Sequence, residues 1–228
     1  MLNKIVDYVY PRVCGFCNKI ISEEYTCKIC QEKLKYIYES EKQLISVNKN
    51  FEILVCAYKY KGIIRSKLLQ YKFKNKKYLY LSLSERLVKL LNRYSKEIDF
   101  IIPVPIHFMR SFERGYNQSM LIAQFIAQKM NIELRNNILK KVHNNKPQSI
   151  LSASKRKKNV SNVYIVKNSN AIRGKTILLI DDIYTTGATV NECSRILKEN
   201  GAKKIIVATI AKATISKQVA KEEIKWMN

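Results

Sequence analysis

The stretch from residue 174 onward leaves little freedom of fold. Gly174-Lys175 leads into a β-branched and leucine run over residues 176–180, and a polar loop follows. Residues 189–200 then carry helical periodicity stopped by Gly201, and residues 204–211 are apolar again. Strand, helix and strand in that order predict a βαβ unit, which demands parallel strands and a right-handed crossover. The fold class is therefore α/β, a parallel sheet flanked by helices. A chain of 228 residues with 46% apolar content can fill one such domain, or a core domain with a small appendage.

Upstream, residues 51–60 read as a strand broken by Gly62, and residues 63–71 and 79–94 as helices. Residues 100–102 form a short apolar run halted by Pro103-Val-Pro105. Over residues 117–130, Leu121, Ile122, Phe125, Ile126 and Met130 share one helical face. The Lys-, Asn- and Ser-rich residues 135–159 read as a loop. No apolar run approaches the roughly 18 residues that would span a bilayer. Residues 1–10 lack the basic start, apolar core and cleavage site of a secretory signal, so a cytoplasmic location is expected.

Asp181 and Asp182 come where the 176–180 strand ends, and Thr185-Thr186-Gly187-Ala188-Thr189 follow as a turn into the helix. Ligands of open α/β sheets sit at the carboxyl ends of strands. A tight turn entering a helix exposes consecutive backbone N–H groups, Gly187 lets an anion approach, and the threonines add hydroxyl donors. That cradle suits a terminal phosphate. Adjacent carboxylates beside a phosphate make sense as acceptors for a vicinal diol, with their charge also favouring a nearby Mg²⁺. A phosphorylated ribose fits better than a nucleoside triphosphate, since no Gly-x₄-Gly-Lys-Ser/Thr occurs. The alternative is a plain helix N-cap with acidic first-turn residues.

Four of the six cysteines form Cys14-x-x-Cys17 and Cys27-x-x-Cys30, nine residues apart. Four thiolates so spaced suit tetrahedral Zn²⁺ with no open position, hence a structural role, against the alternatives of a disulfide framework or a redox pair. Cys56 and Cys193 lie in apolar patterns and read as core residues. The formal charge of +24 is distributed from Lys4 to Lys225, so it either attracts a polyanion such as nucleic acid or simply solvates the surface.

Residues 177–190 resemble the diphosphoribosyl-binding motif of type I phosphoribosyltransferases, and the chain is similar to the ComF/GntX family of competence-type proteins. Matching segments run in order: Cys14 to Cys30 as a zinc module, Tyr58-Lys-Tyr-Lys-Gly62, and Pro103-Val-Pro105 through Arg110. Then come Arg114-Gly-Tyr-Asn-Gln118 as a pyrophosphate loop and Gln148-x-x-Leu151-x₄-Arg156-x-x-Asn159 as a flexible loop. The resemblance implies a zinc module over residues 1–45 and a phosphoribosyltransferase-like domain over 46–228. It further implies that Asp181 and Asp182 hold the ribose hydroxyls of 5-phosphoribosyl 1-pyrophosphate with Mg²⁺. Thr185, Thr186, Gly187, Ala188 and Thr189 would hold its 5-phosphate, and Arg110 and Arg114 its pyrophosphate. Implied too are a role in DNA uptake and, as partners, single-stranded DNA and a competence helicase or recombination mediator. An active phosphoribosyltransferase or a sensor of the sugar diphosphate is the alternative. A base pocket would come from a hood over residues 51–60 and 163–166. Two departures matter: Lys141 and His143 stand where the family commonly has arginines, and Thr185 cannot serve the proton transfer that an acid there performs in purine-using relatives. His107 and His143 otherwise read as bystanders.

Overall fold

A computed structural model describes residues 11–22, 24–35, 49–106, 115–142 and 163–213. Helix α1 (Lys28–Leu34) precedes β1 (Ile53–Lys59), α2 (Gly62–Phe73) and α3 (Leu79–Leu91), then β2 (Phe100–Pro103) and α4 (Gln118–Met130). Two short strands follow, β3 (Leu139–Lys141) and β4 (Tyr164–Val166), and the chain continues through β5 (Thr176–Tyr184), α5 (Ala188–Glu199) and β6 (Lys204–Lys212). The main sheet is parallel throughout, in the order β1-β6-β5-β2. Residues 133–135 begin a fifth position beside β2: Ile101 N–H donates to the Glu133 carbonyl at 2.8 Å, and Arg135 N–H to the Ile101 carbonyl at 2.9 Å.

Helices cover both faces, which is why β5 and β6 read as near-continuous apolar runs. Leu178, Ile180, Ile206 and Ala208 pack on one side against α2, α3 and α4. On the other, Ile177, Leu179, Ile205 and Val207 pack against Val190, Cys193 and Leu197 of α5. Ile177 through Ile180 are fully buried, each such side chain contributing roughly 1.5–3 kcal/mol. Helix α4 starts at Asn117, whose side chain accepts from Met120 N–H, and ends at Asn131 with a left-handed φ of 53°. Among the described residues no helix is long and apolar enough to cross a membrane.

Three expectations change. Within 135–159, Leu139–Lys141 is a strand pairing antiparallel with Tyr164–Val166, while 143–162 lie outside the described residues. Residues 51–60 supply no hood: Ile53–Lys59 is the edge strand of the main sheet, held by β6 from Ile53↔Ile206 to Lys59↔Lys212. The strand opening at Thr176 runs on to Tyr184 instead of stopping at Ile180, because pairing with β6 continues through Tyr184↔Lys212. Its alternation slips on the way, since Leu178, Ile180 and Ile183 share one core face. The backbone register with β6 does not shift, since Asp181↔Thr209 and Ile183↔Ala211 keep the spacing of Ile180↔Ala208, and only Asp182 has no ladder partner there. The irregularity falls on the two acids.

Candidate functional site

Asp181 and Asp182 reach toward the same helical layer, a consequence of that slip. Asp181 Oδ1 accepts from the Ser119 hydroxyl in the first turn of α4 and from the Asp182 N–H, each at 2.9 Å. Asp182 Oδ2 pairs with Lys72 Nζ, near the end of α2, at 3.0 Å. Asp182 is 8% exposed, and Asp181 is partly open to solvent. Desolvation, with the Asp182 charge beside it, pushes the Asp181 carboxyl up from 3.8 to about 7. Both of its hydrogen bonds fall on Oδ1, and Oδ2 has no hydrogen-bond partner among the described residues.

The ends of α2 and α4 are fastened together beneath the acids. The fully buried Tyr71 donates its hydroxyl to the Gln118 carbonyl at 2.8 Å, and its ring lies 5.6 Å from that of Tyr116. Burial, followed by the Asp182 charge, raises the Tyr71 phenol well above its ordinary range, so it stays a donor.

Past the acids the turn opens to solvent at Thr186, Ala188 and Thr189, with Thr185 half-buried. Gly187 takes φ 76°, and a β-carbon there would overlap the Tyr184 ring, so both the conformation and the space require glycine. Ala188 N–H donates to Thr186 Oγ1 at 3.3 Å, and the Gly187 carbonyl accepts from Asn191 N–H as α5 begins. The turn thus leads into the positive end of a 12-residue helix, where only the Ala188 N–H among the first-turn donors has a side-chain acceptor among the described residues. Arg110, Arg114, His107 and His143 lie outside the described residues. Lys141 Nζ sits 5.8 Å from the centre of the Tyr164 ring. Cys56 and Cys193 are buried core residues.

Sequence reasoning missed Lys72 and Ser119. Neither has a local signature: Ser119 follows directly on the Asn117-Gln118 pair, and Lys72 is one of many lysines on a helix with little amphipathic contrast.

The four N-terminal cysteines converge, with their sulfurs all within 4.8 Å of one another. Cys17 Sγ and Cys27 Sγ are 3.7 Å apart, close to the roughly 3.8 Å edge of a tetrahedron with 2.3 Å zinc–sulfur bonds. Cys27 N–H points at Cys14 Sγ and Cys30 N–H at Cys27 Sγ, both at 3.4 Å. The cluster can hold a metal such as zinc. A backbone hydrogen bond from Lys19 draws the exposed Cys17 thiol down to about 7, and burial raises the Cys30 thiol. Gly15 lies so close to Ser82 of α3 that a β-carbon would collide with the serine side chain, and Gly15 N–H donates to Ser82 Oγ at 3.1 Å.

The chain is 30% identical to competence protein F of Haemophilus influenzae over 208 residues, 88% of this chain and 90% of that protein. The chain belongs to the ComF family. This ComF-family chain is also 27% identical to competence protein ComFC of Bacillus subtilis, over 88% of its own length and 75% of the relative's. It matches the DNA utilization protein YhgH of Escherichia coli K12 at 31% identity, over 48% of its own length and 47% of YhgH. A phosphoribosyl transferase domain model matches residues 116–227, and the helix-flanked parallel sheet is of the type I phosphoribosyltransferase class. An adenine phosphoribosyltransferase structure aligns with 66% of the ComF chain and 78% of its own at 14% identity and a TM-score of 0.42.

Proposed function

We propose that the chain binds 5-phosphoribosyl 1-pyrophosphate with Mg²⁺ and acts in DNA uptake. One observation carries the ligand reading: two adjacent carboxylates, brought to one helical layer by a slip in β5, lead directly into a solvent-open turn of N–H and hydroxyl donors. Asp181 and Asp182 take the two ribose hydroxyls, and Thr185, Thr186, Gly187, Ala188 and Thr189 take the 5-phosphate. Arg110 and Arg114 are the side chains proposed for the pyrophosphate on chemical grounds, because a forked guanidinium suits bidentate contact. Oxygen donors of this kind fit Mg²⁺ through bridging water, and the ion supplies charge compensation for the diphosphate. The cysteine cluster holds Zn²⁺ in a closed, structural set.

The reading is tested by thermal melting. Millimolar sugar diphosphate with Mg²⁺ should raise the melting temperature by several degrees, because a ligand at about 100 times its Kd adds roughly 2.7 kcal/mol to the native state. Ribose 5-phosphate alone should do less. An unchanged melting temperature with both components present rejects the ligand reading.

The DNA-uptake reading draws support from the names carried by the relatives and from the +24 formal charge. Affinity for single-stranded oligonucleotides should fall at least tenfold between 50 and 200 mM salt if only a few phosphates are neutralised, following about 0.7 log units per contact per decade of salt. Binding that ignores salt, or no measurable binding at 50 mM, removes the direct DNA contact. Whether the sugar diphosphate is turned over is decided separately, by acceptor-dependent release of pyrophosphate.

A further inference from the structure

We infer that Lys72 is the resident counter-ion of the acidic pair and that it admits a divalent cation only together with a phosphorylated ligand. The inference rests on the ligand reading above and adds a rule for how that site fills. Its basis is the 3.0 Å contact between Lys72 Nζ and Asp182 Oδ2, with the two side chains only 20% and 12% exposed. A pair so enclosed is weakly screened by solvent, and parting it leaves a charge without its partner.

Lys72 is held at that spot. It follows Tyr71 in the last turn of α2, and Tyr71 is fully buried and hydrogen-bonded to the Gln118 carbonyl of α4. The Tyr116 hydroxyl in turn donates to the Tyr71 carbonyl. The ammonium therefore belongs to the floor of the site rather than to a freely swinging surface chain. Asp181 is engaged differently, through one oxygen and two neutral donors, so the pair presents two carboxylates against one fixed cation.

A bare Mg²⁺ approaching this floor meets an ammonium already seated on one of its two carboxylates. It must shed water and lie beside that positive charge, with only the Asp181 carboxyl left unpaired by a cation. A cation already chelated by a sugar diphosphate arrives as a net anion. For that complex Lys72 is attractive, and the diphosphate supplies most of the oxygen ligands. Lys72 is thus a positioning residue that fixes the order of binding: cation and diphosphate enter as one species.

The probe is MnCl₂, followed by water-proton relaxation on the full-length, zinc-loaded protein, since Mn²⁺ prefers oxygen donors and does not compete for four thiolates. Wild type should bind free Mn²⁺ at least tenfold more weakly than it binds Mn²⁺ in the presence of the sugar diphosphate. Lys72→Met should bind free Mn²⁺ at least tenfold more tightly than wild type, and Lys72→Arg should stay within twofold of it. Adding Asp182→Asn to Lys72→Met should erase the gain. A folded Lys72→Met with wild-type Mn²⁺ affinity overturns the inference, as does Lys72→Arg behaving like Lys72→Met. The wild-type comparison needs no variant, and equal Mn²⁺ affinity with and without the diphosphate also overturns it, provided the melting assay shows that the diphosphate binds. If the diphosphate fails to bind at all, the ligand reading falls, and the free-Mn²⁺ contrast between wild type and Lys72→Met still decides the role of Lys72.

Discussion

Asp181→Asn should make the ligand-free protein more stable above neutral pH and at the same time abolish its response to the sugar diphosphate. Burial and the neighbouring Asp182 charge raise the Asp181 carboxyl from 3.8 to about 7. In the unfolded chain it titrates near its ordinary value. A group raised on folding favours the native state while protonated; that advantage is complete below about pH 4 and is lost as pH climbs through about 7. Over that span the native carboxylate costs on the order of 4 kcal/mol relative to its protonated form. Asparagine removes the charge and keeps an Oδ1 to accept from Ser119 and from Asp182 N–H, the two bonds that orient the side chain. Allowing for the burial of its own amide, a gain of about 2 kcal/mol remains at pH 8, or roughly 4–8 °C for a chain of this size. Melting curves for both proteins between pH 5 and pH 8.5 should diverge steadily toward the alkaline end. A variant less stable than wild type at every pH would mean that the carboxylate is satisfied in ways the Ser119 contact does not capture. The conjunction matters: a residue whose removal stabilises the fold while silencing ligand binding is retained for binding.

How much of this was legible beforehand follows from the range of each interaction. The β5–α5–β6 unit was readable because its strands, turn and helix cap are contiguous, and the Thr185–Thr189 turn lies wholly within it. The cysteine cluster was readable because two Cys-x-x-Cys pairs are local patterns, and their sulfurs do converge. The end of β5 was not, since two aspartates break an apolar run, and only pairing with β6 carries the strand through them to Tyr184. Leu139–Lys141 gives too short and polar a pattern to announce a strand, and its partner Tyr164–Val166 comes after the residues outside the description. Residues 51–60 read as part of a hood in the sequence because the strand that captures β1, β6, lies about 150 residues further on. Ser119 stands 62 residues from Asp181, and Lys72 farther still from Asp182. Composition hides such a lysine, for in a chain with 42 basic residues no single one stands out. The acids could be found in the sequence, but what holds them could not.

Removing the metal from the cysteine cluster should destabilise the sheet domain as well as the N-terminus. Cys14 is fully buried and Cys30 8% exposed, and both belong with Phe16 and Leu34 to the apolar cluster that holds Leu79 and Leu83 of α3, Ile180 of β5 and Ile206 of β6. The contacts are polar as well: Gly15 N–H binds Ser82 Oγ, Tyr25 N–H donates to Glu85 Oε1 at 3.2 Å, and the rings of Tyr25 and Phe125 meet edge to face at 5.4 Å. Without a cation, four thiols would have to stay crowded within 4.8 Å, one of them, Cys17, with its pKa drawn down to about 7. Structural zinc contributes about 10–16 kcal/mol in isolated modules. Because the sheet has a second apolar cluster, on the α5 side, that includes none of the four cysteines, a smaller loss on the order of 4 kcal/mol is expected here, lowering the melting temperature by about 10 °C. Treatment with a strong chelator, or Cys30→Ser, should produce that drop together with the loss of one equivalent of zinc by elemental analysis. The drop should be visible in near-ultraviolet circular dichroism from Tyr71 and Tyr116 as well as from Tyr25, because the cluster braces α3, against which α4 and the floor of the acidic site are packed. An unchanged melting temperature after complete removal of the metal would reduce the cluster to an appendage. Mass spectrometry of the purified chain showing the four sulfurs joined as two disulfides would replace the metal altogether.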